Sequence, residues 1–204
     1  MAIKVQYNKT ALQGLEKQLK VRERALPTLK NKESALRMEV KRAKDKASAL
    51  DQELLAQTQQ YTLMSRLWGE FDQELIRIKD VKLSSKKIAG VFTPVLDEVL
   101  FEYGGTSGFN QPVWFADGVQ IVEKLTGIAV EREVFLKKME LLDFARKKTT
   151  QKVNLYEKVQ IPGFQDAIRK IKRFLEDEDN LSKSAQKIVK NKQQKQQVEE
   201  EDEL

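Results

Sequence analysis

The sequence has 204 residues, of which 33% are charged, and it contains neither cysteine nor histidine. Without cysteine it forms no disulfide and no thiolate metal site, and without histidine it lacks the usual general base near neutral pH. The net charge of +6 is unevenly distributed, because residues 199–203 carry five negative charges. The remaining basic body favours an acidic partner surface.

Apolar residues recur at alternating steps of three and four from Leu12 to Leu75. Spacing of this kind, held over such a length, is typical of a coiled coil, because one narrow stripe then faces a partner helix. Only Arg22, Glu33 and Gln57 interrupt the stripe. We therefore predict one long coiled-coil helix over residues 1–75, whose apolar seam is Leu12, Leu15, Leu19, Leu26, Leu29, Leu36, Val40, Ala43, Ala47, Leu50, Leu54, Tyr61, Met64, Trp68, Phe71 and Leu75.

Pro27 lies inside this predicted helix. Proline has no backbone N–H and its ring clashes with the preceding turn, at a cost of about 3 kcal/mol. The sequence therefore predicts a kink between Ala25 and Thr28, and a tolerated local bend is a simpler interpretation than a hinge.

The helical period ends after Leu75, where apolar residues begin to alternate with charged ones. Residues 76–83 and 88–92 are predicted strands, and the polar residues 84–87 form the predicted turn between them. Gly90 indicates a bulge or a close approach of the backbone.

Pro94 either ends the regular strand pairing or lies at the edge of a sheet. Residues 95–103 fit a strand or a short helix equally well, and an irregular glycine-rich loop follows. The predicted insert, a β-hairpin with this loop, spans residues 76–111.

Helix resumes between Pro112 and Asp117, and Asp117 is a candidate cap. A second apolar stripe follows, and its phase slips by one residue at 161–163. Because the insert is too short to let the second helix run parallel beside the first, we predict a mostly α fold built on an antiparallel two-helix coiled-coil hairpin. The C-terminal helix is predicted over 112–197, with the seam Ile121, Leu125, Ile128, Phe135, Met139, Leu142, Val153, Tyr156, Phe164, Ile168, Ile171 and Leu175.

No motif in the sequence indicates a catalytic, metal-binding or phosphate-binding site. The phosphate-binding pattern GxxxxGK[ST] is missing, and the acidic run 176–179 is typical of a solvated helix surface. The basic run 146–148 has no interleaved aromatic residues of the kind that favour nucleic acid. We therefore predict that the protein is not an enzyme and has no catalytic residue, no metal ligand and no cofactor.

The ends of the sequence carry no targeting signal that we recognise. The start, MAIKVQYNKT, lacks the apolar core of a signal peptide, and no run of 18 apolar residues occurs. We expect a soluble, cytoplasmic chain. The acidic residues 198–204 are predicted to form a disordered tail, because their composition buries too little surface to become ordered alone.

Four segments resemble one known family, in the same order along the chain. The segments are LPTLKNKESAL in the first helix, KKIAGVFTPVL in the insert, PVWFADGVQIVEKL at the start of the second helix, and KKTTQKVNLYEKVQIPGFQDAIRKIKRFLEDED further along it. Together they resemble the D subunit of the V-type ATPases, including the archaeal and bacterial V/A-type enzymes. Pro27 departs from the family pattern, which often has lysine there.

The resemblance implies a central rotor stalk that transmits torque between an ATP-hydrolysing or ATP-synthesising ring and an ion-translocating membrane ring. The implied partners are the catalytic A and regulatory B subunits, the F subunit of the stalk and the funnel-shaped C (d) subunit, with the chain peripheral to the membrane and without direct insertion. Both chain termini would lie within the catalytic ring. The candidate partner contacts are Lys9, Lys17, Lys20, Lys172 and Lys183 near the termini, and Ile78, Val81, Ile88 and Val91 in the insert.

Two other functional classes fit a pair of long helices. Prefoldin-like chaperones or scaffolds also join two coiled-coil helices through β-hairpins, but such a chain would assemble with itself through its strands. A nucleic-acid-binding coiled coil would show binding that falls steeply with salt. The sequence does not distinguish proton from sodium coupling, or synthesis from hydrolysis.

Overall fold

The computed structural model describes residues 6–104 and 112–202, apart from the side chains of Leu63 and of residues 196–202. The helices are α1 (Lys9–Gln60), α2 (Ser65–Trp68), α3 (Trp114–Asn154) and α4 (Ile161–Asp202), and the strands are β1 (Ile76–Ile88) and β2 (Val91–Tyr103). The chain is mostly helical, with an antiparallel β-hairpin between its two long helical segments, which confirms the predicted fold class. Contacts divide it into two compact units, residues 31–150 and residues 1–30 with 151–204.

Helix α1 begins immediately after Asn8, whose Oδ1 accepts a hydrogen bond of 2.6 Å from the backbone N of Ala11. This side chain satisfies one of the N–H groups that the first turn of a helix leaves unpaired. Pro27 lies within α1 and does not end it. Its ring is exposed.

Helix α1 ends at Gln60, so the prediction of one helix as far as Leu75 was wrong. Two 3₁₀ turns and the short helix α2 follow instead. Asp72 caps the second of these turns, because its Oδ1 accepts a hydrogen bond of 2.9 Å from the backbone N of Glu74. Two of the apolar residues at heptad spacing beyond Gln60, Trp68 and Phe71, pack into an aromatic cluster with Trp114 and Phe115 instead of continuing a helix.

The hairpin pairs β1 with β2 from Ile76 opposite Tyr103 to Ile88 opposite Val91. Its turn consists of Ala89 and Gly90, whose φ angles of 47° and 83° are both positive. Two such residues form the mirror-image turn that matches the twist of antiparallel strands.

The turn predicted at 84–87 was therefore wrong, because these residues continue β1. Residues 95–103, which fitted strand or helix, belong to β2, and Pro94 lies within that strand opposite Ser85. In a two-stranded sheet each strand is an edge. The nitrogen of Pro94, which has no hydrogen to donate, can therefore face the side that pairs with no other strand.

The second helical segment changes its geometry between α3 and α4. Residues Leu155–Gln160 form a π-helical turn, in which the hydrogen bonds span one residue more than in an α-helix. Pro162, the second residue of α4, has no N–H to donate to the carbonyl of Lys158, as a regular α-helix would require. The one-residue phase slip predicted at 161–163 is thus accommodated in the turn just before it. Asp117, the predicted cap, lies in the first turn of α3.

In the unit 31–150, α1 and α3 run antiparallel. Glu33 lies beside Thr150, whereas Asp51 lies beside Arg132. The side chains buried in this unit are mostly apolar and include Leu36, Ala43, Ala47, Leu50, Leu75, Ile76, Phe115 and Leu142.

In the other unit, the start of α1 and the helix that follows α3 also run antiparallel. Lys30 pairs with Glu157, and Glu16 pairs with Lys172. Its buried apolar side chains are Phe164, Ala167, Ile168 and Ile171.

The structure describes residues 198–202 as the end of α4, where the composition predicted a disordered tail. Residues 105–111, most of the predicted glycine-rich loop, lie outside the described residues, as do residues 203 and 204. Of the helices described, none combines the length and the apolar composition needed to cross a membrane.

Candidate functional site

Every residue of the two predicted seams is buried or half-buried in the structure. In α1 the most enclosed are Leu36 and Leu50, and in the second segment Leu142 and Ile171. The seam therefore forms the contact between helices within each unit. Its members are enclosed by the chain's own packing, and the surface for partners must be sought elsewhere.

Arg22 interrupts the apolar seam but is held by three groups. Its Nε donates a hydrogen bond of 2.7 Å to Oε1 of Gln160, and one terminal nitrogen donates to the carbonyl of Gln18. The guanidinium carbon lies 4.5 Å from the centre of the Phe164 ring, in the position of a cation–π contact. The charge thus joins α1 to the last residue of the π turn and to the core of α4.

Glu33 is a second interruption of the seam. Its Oε1 accepts a hydrogen bond of 2.7 Å from Arg37 and one of 3.3 Å from the Thr150 hydroxyl. Asp51 forms a 2.8 Å ion pair with Arg132 on the facing helix. Such partly exposed pairs contribute roughly 0 to 1 kcal/mol each, but they specify which residues face one another.

Gln57, the third interruption, is less well satisfied. Its Nε2 donates to Glu53 at 3.3 Å, whereas its Oε1 is buried and has no hydrogen-bond partner among the described residues. A buried acceptor without a partner lowers stability by about 1 to 3 kcal/mol. An apolar cavity of about 430 Å³ begins at the next residue of the sequence. It is lined by Thr58, Tyr61, Thr62, Ser65, Trp68, Val122 and Leu125.

Four aromatic rings form a cluster where α1 gives way to the insert and α3 begins. Trp68, Phe71, Trp114 and Phe115 have neighbouring ring centres between 4.9 and 5.8 Å apart. Gly118 lies against it, since a Cβ there would be 2.8 Å from the Phe71 ring. The cluster joins the short helix α2 and the residues that follow it to the start of α3.

The β-hairpin packs beside the helices of its own unit. Thr93 of β2 is only 1% exposed, and its hydroxyl donates a 3.0 Å hydrogen bond to the carbonyl of Lys86. At the tip, the Nζ of Lys32 lies 3.4 Å from where a Cβ of Gly90 would be. A cavity of about 380 Å³ separates part of β2 from α3, and it is lined by Pro94, Val95, Leu96, Asp97, Glu98, Val99, Glu131, Val134, Phe135 and Lys138.

The hairpin residues predicted to contact partners differ in exposure. Val81, Ile88 and Val91 are half-buried, and Ile78 is 48% exposed. Three apolar residues that the sequence analysis did not select are more exposed, namely Leu83, Phe92 and Tyr103. Strand alternation was the available signal, because it places Phe92 on the opposite face from its buried neighbour Thr93.

The predicted lysines divide into two groups. Lys9, Lys17 and Lys20 are exposed on α1. Lys172 pairs with Glu16 at 3.0 Å, and Lys183 pairs with Asp179 at 3.2 Å. The first group is directly available to a partner, whereas the second must exchange an existing ion pair.

Beyond Leu175, α4 carries apolar side chains that the helices of the chain do not bury. Leu181 is 73% exposed, and Ile188 and Val189 are more than half exposed. They lie on the part of the second helical segment that follows Phe174, whose ring packs 5.0 Å from that of Tyr7 just before α1.

One carboxyl group has a clearly shifted pKa. Hydrogen bonds from Lys147 and Arg146 hold the pKa of Asp143 below its ordinary value of 3.8, because both favour the charged form. The three residues lie on one side of α3, within one turn. Among the residues whose side chains the structure describes, no three acidic side chains converge as metal ligands would.

The family model described as the D subunit of ATP synthase matches residues 11–191. A V-type ATP synthase D subunit from Borreliella burgdorferi is 31% identical and covers 92% of this chain and 94% of its own length. The corresponding proteins of Chlamydia pneumoniae and Chlamydia caviae are each 26% identical, over 94% and 98% of this chain.

These matches run from the first turn of α1 to the exposed part of α4, and so they include both helical seams, the aromatic cluster and the hairpin. They agree with the order of the four segments that resembled the family. The chain therefore belongs to the family of V-type ATP synthase D subunits.

Proposed function

We propose that the protein is the central rotor stalk of a V-type ATPase and transmits torque between its ATP-hydrolysing or ATP-synthesising ring and its ion-translocating ring. The observation that carries the proposal is the match of nearly the whole chain to relatives that are D subunits of such enzymes. The role is mechanical, and the chain supplies no catalytic residue.

The way the helices are joined suits this role. In one unit Arg22 bonds Gln160 and Lys30 bonds Glu157, and in the other Asp51 bonds Arg132. A pair of helices with a packed seam and several cross-links resists bending and twisting more than one helix does. Such a pair transmits a turning force without needing a reactive group.

The proposed partners are the catalytic A and regulatory B subunits, the F subunit of the stalk and the funnel-shaped C (d) subunit. The end that carries both termini would lie in the ring of A and B subunits, with Lys9, Lys17 and Lys20 as exposed contacts. Because a rotor bears different residues on each side, it makes different contacts with three identical sites, and only such differences shift their equilibria.

A reversible cross-link tests rotation directly. The chain has no cysteine, so Lys17→Cys provides a single thiol, which can be paired with one cysteine introduced in the ring. We expect oxidation to stop ATP turnover by the assembled complex and reduction to restore it. The control is the same Lys17→Cys variant in a ring without the second cysteine, which should keep its turnover when oxidised.

Turnover at the full rate with the stalk covalently fixed to the ring would contradict the rotor proposal. A static scaffold would then be the better description. The cross-linked fraction is measured on a denaturing gel from the same sample, so that the rate is compared with the amount of chain that is fixed.

A further inference from the structure

We propose that the tip of the β-hairpin, together with the neighbouring part of α1, binds an acidic protein segment that also carries an apolar side chain. The surface consists of Lys32, Lys86, Lys87 and Phe92, and we refer to it as the tip patch. The proposal rests on the proposed function only for the choice of candidate partners, which are the other subunits of the complex.

The four residues lie around the two-residue turn, on both faces of the strand pair. Lys87 is paired with Phe92 across the strands, and its Nζ lies 5.4 Å from the centre of the Phe92 ring. Lys32 reaches the same place from α1, because its Nζ lies against Gly90. Lys86 precedes Lys87 on β1 and is paired with Thr93, so its side chain leaves the strands on the other face, and three lysines and one ring surround one end of the hairpin.

The charge of the tip patch is not balanced by nearby acids. The stretch from Leu83 to Thr93 contains no Asp or Glu. Within the described residues, Lys32, Lys86 and Lys87 form no ion pair, although several other lysines do. Three lysines around one turn with no acid among them repel one another, and an acidic partner would remove that repulsion.

The carboxylates that flank the patch are already engaged. Glu98 pairs with Lys82 at 2.9 Å, and Asp97 accepts a 2.8 Å hydrogen bond from Ser84. Glu33, next to Lys32, is held by Arg37. Among the described residues, nothing neutralises the tip patch, and its positive charge is available to a partner.

Phe92 distinguishes a protein segment from a simple anion. Its side chain is 66% exposed, more than that of any other phenylalanine among the described residues. An exposed ring framed by cations is typical of interaction sites, where aromatic residues supply apolar contact and charges set orientation. A segment with Asp or Glu beside Leu or another apolar residue would use both features.

Binding to the full-length chain can be measured with a fluorescein-labelled peptide built from alternating pairs of glutamate and leucine. We expect the triple variant Lys32→Glu, Lys86→Glu, Lys87→Glu to weaken binding about tenfold at low salt. The matched control is Lys41→Glu, Lys44→Glu, Lys124→Glu, which makes the same change in net charge at three other exposed lysines and should weaken binding by about twofold or less. Phe92→Ser should lower the affinity that remains at high salt, where charge is screened.

Three results would overturn the proposal. The first is equal loss in the two triple variants, which would mean non-specific attraction by a basic chain. The second is equal binding of a lysine–leucine peptide. The third is tip-dependent binding of a 20-nucleotide single strand that is tighter than the peptide, which would assign the surface to nucleic acid. Should the triple variant unfold, the neutral set Lys32→Gln, Lys86→Gln, Lys87→Gln provides the same comparison against Lys41→Gln, Lys44→Gln, Lys124→Gln.

The partner can be located in the assembled complex with Phe92→Cys carrying a benzophenone. We expect the cross-linked peptide, identified by mass spectrometry, to be rich in Asp and Glu. A cross-link to a segment without acidic residues would contradict the proposal. The outcome of this cross-link does not depend on whether the chain rotates. The disulfide experiment uses Lys17 and measures ATP turnover, so the two proposals can fail separately.

Discussion

At the scale of single residues, the polar members of the seam show how charge is placed inside a helix pair. Arg22 extends its apolar stem along the seam and ends between an amide and an aromatic ring. Glu33 accepts hydrogen bonds from Arg37 and Thr150, whereas Gln57 leaves its buried oxygen without a partner among the described residues. A packed helix pair tolerates these groups to the extent that the facing helix offers donors and acceptors.

Arg22→Ala should lower the free energy of unfolding by about 1 to 3 kcal/mol, because it removes a charged hydrogen bond and the contact with Phe164. Arg24→Ala is the matched control, since Arg24 is exposed and forms no side-chain hydrogen bond or ion pair among the described residues. Its effect should stay within about 0.5 kcal/mol. Urea denaturation followed by circular dichroism measures both, and equal effects would show that the Arg22 contacts contribute nothing.

The glycines of α3 offer a second comparison between residues of one type. Gly127→Ala adds a Cβ that meets nothing within 4 Å, so we expect about 0.5 to 1 kcal/mol of stabilisation from better helix propensity. Gly118→Ala places the same group 2.8 Å from the Phe71 ring and 3.2 Å from Trp114. We expect a loss of about 1 to 3 kcal/mol from overpacking of the aromatic cluster. Thermal unfolding of the two variants should therefore shift in opposite directions, and a gain from Gly118→Ala would mean that the cluster is loosely packed.

At the scale of elements, the π turn between α3 and α4 accommodates one residue more than a regular helix would hold. Tyr156 and Phe164 both belong to the seam but are eight positions apart, where a heptad stripe would place them seven apart. The wider hydrogen-bonded turn absorbs the additional residue, and Phe164 remains buried. The seam is thus continuous in space although it is out of phase in sequence.

Removing that additional residue should be tolerated. We expect deletion of the exposed Lys158 together with Pro162→Ala to convert the turn to α-helix and to leave the melting temperature within about 5 °C, because the seam keeps its phase. Deletion of the exposed Lys137 in the regular part of α3 rotates the following seam by about 100° and should abolish cooperative unfolding or lower the melting temperature much further. Circular dichroism against temperature compares the two, and an equal loss in both would show that the π turn has a role other than phase.

At the scale of the whole molecule, the surface is divided between features that the chain satisfies itself and features that it leaves open. The seams are enclosed within each unit, and many surface charges pair along or between helices. The tip patch, the exposed lysines near the start of α1 and the apolar side chains of α4 beyond Leu175 remain uncovered. A subunit of a larger complex needs such uncovered surfaces, and the cross-linking and peptide experiments each address one of them.

The sequence by itself determined the class of this protein, because the hydrophobic period of a long helix and the alternation of a strand are local properties that side-chain spacing reveals. It indicated the two helical segments, their antiparallel direction, the hairpin between them and the family. The period alone did not show where α1 ends, because Trp68 and Phe71 continue the heptad spacing after α1 has ended and pack against aromatic rings at the start of α3. Tertiary structure also decided that Ala89 and Gly90 form the turn, because two strand registers compete and side-chain spacing alone does not choose between them. It likewise decided which lysines are engaged in ion pairs, because that depends on which residues lie beside them in the folded chain.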